Sequence, residues 1–330
     1  IHRFRQHWLQ SNQGEDAVNH AEMAAQLKKS LSAGEGRKMK RGKAHLGLPT
    51  QLTVLRRIAG LPTVPDKEMR TLLSFEIKES IPLPFEEPIY DFMQTDAILP
   101  QDESLQARPN LPVPNVLAEA AVSAENKNHR DVFLFATSKR FTEQLAKSVR
   151  GAGLKPLSAE VKGLSLMRLF HFLAPDWLKE FEIVLDMGEL SFDVHIYLYN
   201  ILVFSRNIAL NKMDFLTPEA SGRLDANSVF SAFREEDYRM DRYAEETAQQ
   251  IERAVNFFRY STNERDRPVK RLILVGQFEE SLPQRLAELT GYYVETPDFS
   301  RLRQGRHHPD ALLTHAAVSI GLALRGFRPG

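Results

Sequence analysis

The sequence predicts an α/β fold of two domains, and two observations carry that expectation. Short apolar runs with the bulk of strands alternate along the chain with stretches whose apolar residues recur at helical spacing, an order that builds a sheet flanked by helices. At 330 residues, 42% apolar and 26% charged, the chain is also long enough to bury two sizeable cores. There is no cysteine, hence no disulfide frame, thiol nucleophile or cysteine metal site. The formal net charge is zero, so no overall field favours nucleic acid or an acidic polymer. No apolar run approaches the roughly 18 to 20 residues that span a bilayer, no signal peptide is read, and the composition is compatible with the cytoplasm.

From Ile1 to Leu9, Phe4 and Trp8 alternate with Arg3, Arg5 and His7, which predicts a strand with one wet face. Met23, Ala24, Leu27 and Leu31 make a short amphipathic helix. Gly34 to Lys43 holds Arg37, Lys38, Lys40, Arg41 and Lys43. It reads either as a solvated loop or as a patch for anionic headgroups, where each cation is worth on the order of 1 kcal/mol. Ala44–Leu48 and Leu52–Ile58 are two short strands around a Pro-Thr turn. Met69, Leu72, Leu73, Ile77 and Ile81 then line one face of a helix. Pro65 suits its first turn and Pro82 stops it. Glu86 to Met93 reads as a strand. Thr95 to Arg130 holds Pro100, Pro109, Pro112 and Pro114 and no period, so a long, partly disordered loop is expected. Asp131–Thr137 is a buried strand; Phe141, Leu145 and Val149 define a helix that Gly151 and Gly153 end. Leu154–Val161, carrying Glu160, is a strand, and Leu164–Phe172 an apolar helix.

A second unit opens at Glu182–Asp186, a strand followed by the tight turn Met187-Gly188-Glu189. Ser191–Leu198 puts Phe192, Val194, Ile196 and Leu198 on one face, and Tyr199-Asn200 turns it into Ile201–Arg206. Asp186-x-Gly188-x-x-Ser191 has the make-up of a phosphate-gripping hairpin. Glycine lets backbone amides approach phosphate oxygens, the hydroxyl adds a bond, and the aspartate holds a metal or its water. Asn211–Asp241 is polar and reads as a smaller helical subdomain. Tyr243–Tyr260 keeps Ala244, Thr247, Ala248, Ile251, Ala254, Val255 and Phe258 in one stripe, the clearest helix of the chain. Arg271–Gly276 is a buried strand, Leu282–Leu289 a helix capped by Gly291, Tyr292–Glu295 a strand and Leu312–Leu324 a closing helix. His307-His308 reads as a polar surface pair rather than a zinc site, and His195 as structural or exposed. With no nucleophile elbow, Walker lysine loop or His-Glu-x-x-His, no catalytic residue is assigned.

Several of these segments together resemble PilM, the actin-like assembly protein of type IV pili. The segments are Leu61-Pro62, Glu68, Glu76, the corner Ile81-Pro82-Leu83-Pro84-Phe85, and Tyr90-Asp91-Phe92. Beyond them lie the Asp186 hairpin with Leu202-Val203-Phe204-Ser205-Arg206, Glu252-Arg253, Phe257-Phe258, Leu272 to Gly276, Leu282-Pro283 and Gly321-Leu322-Ala323-Leu324-Arg325. The resemblance covers about Leu46 to Phe327. It implies an actin-like (ribonuclease H-like) two-domain fold with a small α+β inserted subdomain of the SHS2 type. Residues 1–60 would be the first actin-like half, 61–160 the insert with its Pro-rich loop at 95–130, and 161–330 the second half with a small helical subdomain at 211–245. The chain begins at Ile1 rather than methionine, so its true N-terminus is expected to be missing, and with it the hairpin where the family carries the first phosphate loop, intact or degenerate.

For a nucleotide, the resemblance implies a second phosphate loop at Asp186, Gly188 and Ser191 and an adenosine loop at Gly276 and Gln277. Glu189 adds a negative charge there, a single glycine stands where a cluster is usual, and Leu210-Asn211 replaces a Gly-Gly. Nucleotide binding is therefore expected to be weak or lost, with no cofactor; ATP and magnesium are the alternative. For a partner, the resemblance implies the N-terminal cytoplasmic tail of a PilN-like bitopic membrane protein, gripped at Leu73, Ile77, Ile81, Phe85 and Tyr90. Other pilus assembly proteins would be further partners, and the chain would be a cytoplasmic scaffold peripheral to the inner membrane. A working actin-like ATPase and a GspL-like component of type II secretion are the rival readings.

Overall fold

Two units divide the chain, Ile1–Lys162 and Gly163–Gly330. The structure, a computed structural model, describes residues 19–32, 42–96, 129–216, 229–262, 267–302 and 309–325. The strand expected over Ile1–Leu9, most of the basic stretch from Gly34, the bulk of the Pro-rich segment and His307-His308 lie outside the described residues.

The first unit holds helix α1 (His20–Ser32), strand β1 (Lys43–Leu48), β2 (Thr53–Pro62), α2 (Asp66–Glu79), β3 (Pro88–Asp96), β4 (His129–Ser138), α3 (Lys139–Gly151) and β5 (Lys155–Val161). β2, β4 and β3 form an antiparallel sheet in that order, while β1 and β5 pair in parallel. Met69 and Leu73 sit one turn apart on α2 and insert against Val132 and Leu134, alternate residues of the central strand β4. Ile58, Leu61, Ile77, Ile81, Tyr90 and Phe92 pack around that core. A second core joins Met23 and Leu27 of α1 to Leu48 of β1 and Phe141 and Leu145 of α3. The Ser138 hydroxyl caps α3 by accepting from the Phe141 amide at 3.2 Å.

The second unit carries β6 (Phe181–Met187), β7 (Ser191–Leu198), β8 (Ile201–Ala209), β9 (Arg271–Gly276) and β10 (Val294–Glu295) in one sheet, order β10-β9-β6-β7-β8. β6 to β8 form an antiparallel meander; β9 and β10 run parallel to β6. Its helices are α4 (Lys162–Leu173), α5 (Met213–Leu216), α6 (Val229–Thr262), α7 (Leu282–Thr290), α8 (Asp310–His315) and α9 (Ala317–Leu324). Ile183, Val184 and Leu185 are consecutive and all fully buried, so both faces of β6 are covered. Gly321 lets α9 meet α4: a Cβ there would overlap the Ser165 carbonyl, and Arg168 Nη1 donates to the Gly321 oxygen at 2.9 Å.

Two elements depart from expectation. The segment expected as a separate helical subdomain before Tyr243 is, from Val229, the start of a single 34-residue helix. Met240, buried three residues ahead of Tyr243, continues the apolar stripe, and no glycine or proline interrupts the segment. The closing helix is broken at Ala316 (φ −90°, ψ 5°) into α8 and α9.

Candidate functional site

The five residues expected at a nucleotide come together at one end of the second sheet. β6 and β9 are parallel neighbours with Met187 opposite Gly276, so the turn after β6 and the loop after β9 leave the sheet side by side. The Gly188 amide donates to the Ser191 carbonyl at 3.1 Å, and a Cβ on Gly188 would stand 2.8 Å from the same oxygen. Gly276 has φ +93°, and its missing Cβ is the space occupied by the Met187 backbone. The Gln277 amide donates to the Met187 carbonyl at 2.8 Å. The loop after β8 joins them: Leu210 N donates to Leu190 O at 3.1 Å and Lys212 N to Glu189 O at 2.9 Å. Lys212 forms an ion pair with Glu279, tying that loop to the one after β9.

Around this junction the side chains are also committed. Asp186 faces Asp193 across the β6–β7 pair. Asn207 donates to the buried Asp193 at 2.7 Å and to the Ser191 hydroxyl at 3.2 Å. Tyr243 of α6 is buried beneath, its ring edge-on to Phe215 at 5.7 Å between centroids. Burial, aided by the charge of Glu279, pushes its phenol up to about 12 although the Thr247 contact opposes the shift. No sequence motif points to Asp193, Asn207 or Lys212; Glu279 lies in the loop after Gly276, and Asn211, beside Lys212, departs from the family pattern. Among the described residues no cluster of three or more His, Asp or Glu side chains is arranged for a metal. His195, read as structural or exposed, is fully buried and bonded through Nδ1 to the Ser205 hydroxyl at 2.9 Å.

The five residues expected at a partner lie around α2 and β3, but not in equivalent roles. Leu73 is fully buried between α2 and β4, so a partner cannot touch it while the sheet is formed; it is a core residue. Ile77, Ile81 and Tyr90 are half-buried against that core, and Phe85 is half-buried in the corner between them. The Ser80 and Ile81 amides both donate to Glu76 O, at 2.8 and 2.9 Å, which closes the helix before Pro82 turns the chain. Tyr90 Oη donates to the Arg70 carbonyl at 3.3 Å; the Arg70 guanidinium pairs with Asp91 at 2.9 Å and lies over the Phe92 ring. Gln94 donates to Val64 O and Asp66 Oδ1, so the N-terminal end of α2 is fixed to β3. Among the described residues β3 pairs with β4 alone and is an edge of its sheet. Phe75 and Ile89, 56% and 37% exposed, add apolar surface that helical periodicity alone did not mark.

No family model and no curated protein matches the chain. Among solved structures, a chain of a PilM–PilN type IV pilus biogenesis complex is 23% identical with a TM-score of 0.66, over 97% of this chain and 89% of that one. The cytoplasmic domain of EpsL, an inner-membrane component of the type II secretion system of Vibrio cholerae, is more distant: 7% identity, TM-score 0.40, 92% and 82% covered. The ethanolamine utilization protein EutJ from Carboxydothermus hydrogenoformans is 16% identical with a TM-score of 0.41, over 58% and 62%. The class is thus an actin-like α/β fold. Within that class this chain is PilM-like in fold.

Proposed function

We propose that this chain is a scaffold of type IV pilus assembly that grips the N-terminal cytoplasmic tail of a PilN-like membrane protein. In this reading β2, α2, β3 and β4 form the inserted subdomain rather than the whole of 61–160, α1, β1, α3 and β5 belong to the first actin-like half, and 161–330 is the second half. What carries the reading is likeness of fold, across nearly the whole chain, to a chain from a complex with PilN. Its physical support is the edge of β3, unpaired on its outer side among the described residues, where an extended peptide can add main-chain hydrogen bonds while apolar pockets select its side chains. Ile77, Ile81, Phe85 and Tyr90 are the pocket residues we assign, with Phe75 and Ile89 at its margin.

The nucleotide end is, on this reading, a relic. The amides of Gly188, Gln277 and Lys212, which a phosphate would take, already donate to carbonyls of the protein. Ser191 accepts from Asn207, and Glu189 brings a carboxylate to the turn. The residues present therefore fit a nucleotide phosphate and its magnesium poorly. Peripheral placement at the cytoplasmic face of the inner membrane follows from the partner; among the described residues no helix is long and apolar enough to cross a bilayer. A second reading, an ATPase that switches partner affinity, is favoured by one observation: Asp186, Gly188, Ser191, Gly276 and Gln277 do converge.

Isothermal titration separates the two. A synthetic tail peptide that binds with equal affinity with and without magnesium-ATP supports the scaffold. Peptide affinity that changes when ATP is added overturns it in favour of the switch, and no peptide binding in either state removes both.

A further inference from the structure

The first unit has an open pocket of about 560 Å³ where β1 and β5 begin, lined by Gly42, Lys43, Arg150, Gly153, Leu154 and Lys155. Lys43 and Lys155 are register partners in the parallel β1–β5 pair. Like charges set directly opposite one another on neighbouring strands are destabilising, so an uncompensated pair is a cost to the free protein. Arg150, in the last turn of α3, adds a third cation. Among the described residues no carboxylate lines the pocket and no acidic side chain pairs with Lys43, Arg150 or Lys155.

Local structure accounts for only part of this charge. α3 ends at the pocket, with Gly153 N donating to Arg150 O at 2.9 Å and Leu154 N to Val149 O at 3.1 Å. A helix C-terminus carries about half a negative charge, which answers a fraction of one cation and leaves the rest. The rim is not loose: Lys155 N donates to Gly42 O at 2.8 Å, which ties the starts of the two strands together.

We propose that this pocket binds a phosphate-bearing anion between Lys43, Arg150 and Lys155. The guanidinium fork suits two phosphate oxygens at once, and the two ammonium groups act as point charges on either side. A soluble phosphorylated molecule and the headgroup of an anionic lipid share that chemistry.

The test uses the full chain, inorganic pyrophosphate followed by calorimetry, and flotation with phosphatidylcholine vesicles with and without phosphatidylglycerol. The probes are read on wild type, on K43Q/K155Q, on R150Q, and on K67Q/K78Q, which removes two exposed lysines of α2 in the same unit. At roughly 1 kcal/mol per cation, K43Q/K155Q weakens whichever probe binds by about 30-fold, R150Q weakens it by about fivefold, and K67Q/K78Q leaves it unchanged. Without ligand, K43Q/K155Q melts no lower than wild type, which shows it folded, and pyrophosphate or lipid raises the melting points of wild type and K67Q/K78Q but not that of K43Q/K155Q. Pyrophosphate binding without flotation assigns a soluble ligand; flotation that requires phosphatidylglycerol, without pyrophosphate binding, assigns the lipid headgroup. Binding of neither probe to wild type, or equal losses in K43Q/K155Q and K67Q/K78Q, overturns the proposal.

Discussion

The two sheets treat their sequence motifs in opposite ways. The five-stranded sheet of the second unit is covered on both faces, and the residues at its end that look chemical are consumed by the fold itself. Gly276 is glycine because the Met187 backbone lies where a Cβ would be. Ser191 and Asn207 belong to the bonding of Asp193 between strands. The three-stranded sheet of the first unit also buries consecutive residues of its central strand, Val132, Phe133 and Leu134, with α2 over the Val132 and Leu134 face. Around that core Ile77, Ile81, Phe85 and Tyr90 are left half-buried, Phe75 and Ile89 exposed, and the outer edge of β3 unpaired among the described residues. The lesson is that a glycine-and-serine signature can persist on packing grounds alone, whereas incomplete burial beside a free edge is surface left for something else.

The sharpest way to break this comparison is Gly276→Ala. A Cβ against the Met187 backbone at φ +93° costs roughly 3 kcal/mol or more, seen in urea unfolding. A variant of wild-type stability that alters ATP binding would instead make Gly276 a ligand residue. Next come two substitutions that look alike in sequence. Leu73→Ala opens a cavity worth about 2–5 kcal/mol of stability, while Phe85→Ala changes stability by under about 1 kcal/mol yet raises the tail-peptide Kd about tenfold. Equal peptide losses at both positions, corrected for unfolding, would erase the distinction drawn between core and groove.

Two smaller effects probe the second unit through its titrating groups. Burial holds the carboxyl of Glu182 above its usual value, against the opposing Glu180 amide and Arg271. The stability that its proton contributes is full below the ordinary carboxylate pKa and is lost as pH rises through the raised value. Glu182→Gln therefore gains on wild type between pH of about 4 and 7, measured by chemical unfolding at both ends of that range. Tyr243, pushed up to about 12, gives a phenolate absorbance step near that pH that Tyr243→Phe removes. A Tyr243 step near the ordinary tyrosine value would mean that the end of the sheet is open to water.

The meander β6–β8 was legible because alternation, a Gly turn and Tyr199-Asn200 each act over a few residues, and both turn residues do take positive φ, 51° and 63°. The helix at Tyr243 was legible from its stripe, but its start was not, since the polar run ahead of it hides how far upstream helical geometry extends. The reason for Gly276 was illegible: it depends on Met187, a neighbour only through the parallel pairing of β6 and β9. Leu73 and Ile77 carry the same periodic signal, and only the position of β4 decides that one is core and the other rim. The Lys43–Lys155 pair is likewise a product of register between strands at opposite ends of their unit.

The pairing of β3 with β4 runs unbroken from Pro88 opposite Ser138 to Asp96 opposite Arg130. The last described residue of β3 and the start of β4 therefore stand across a single rung, about 5 Å apart. Closing a longer or shorter excursion there changes stability only with the logarithm of its length. That rung is a natural splice point: a fluorescent reporter or a second module can be grafted between Asp96 and Arg130 while the strands on either side keep their neighbours.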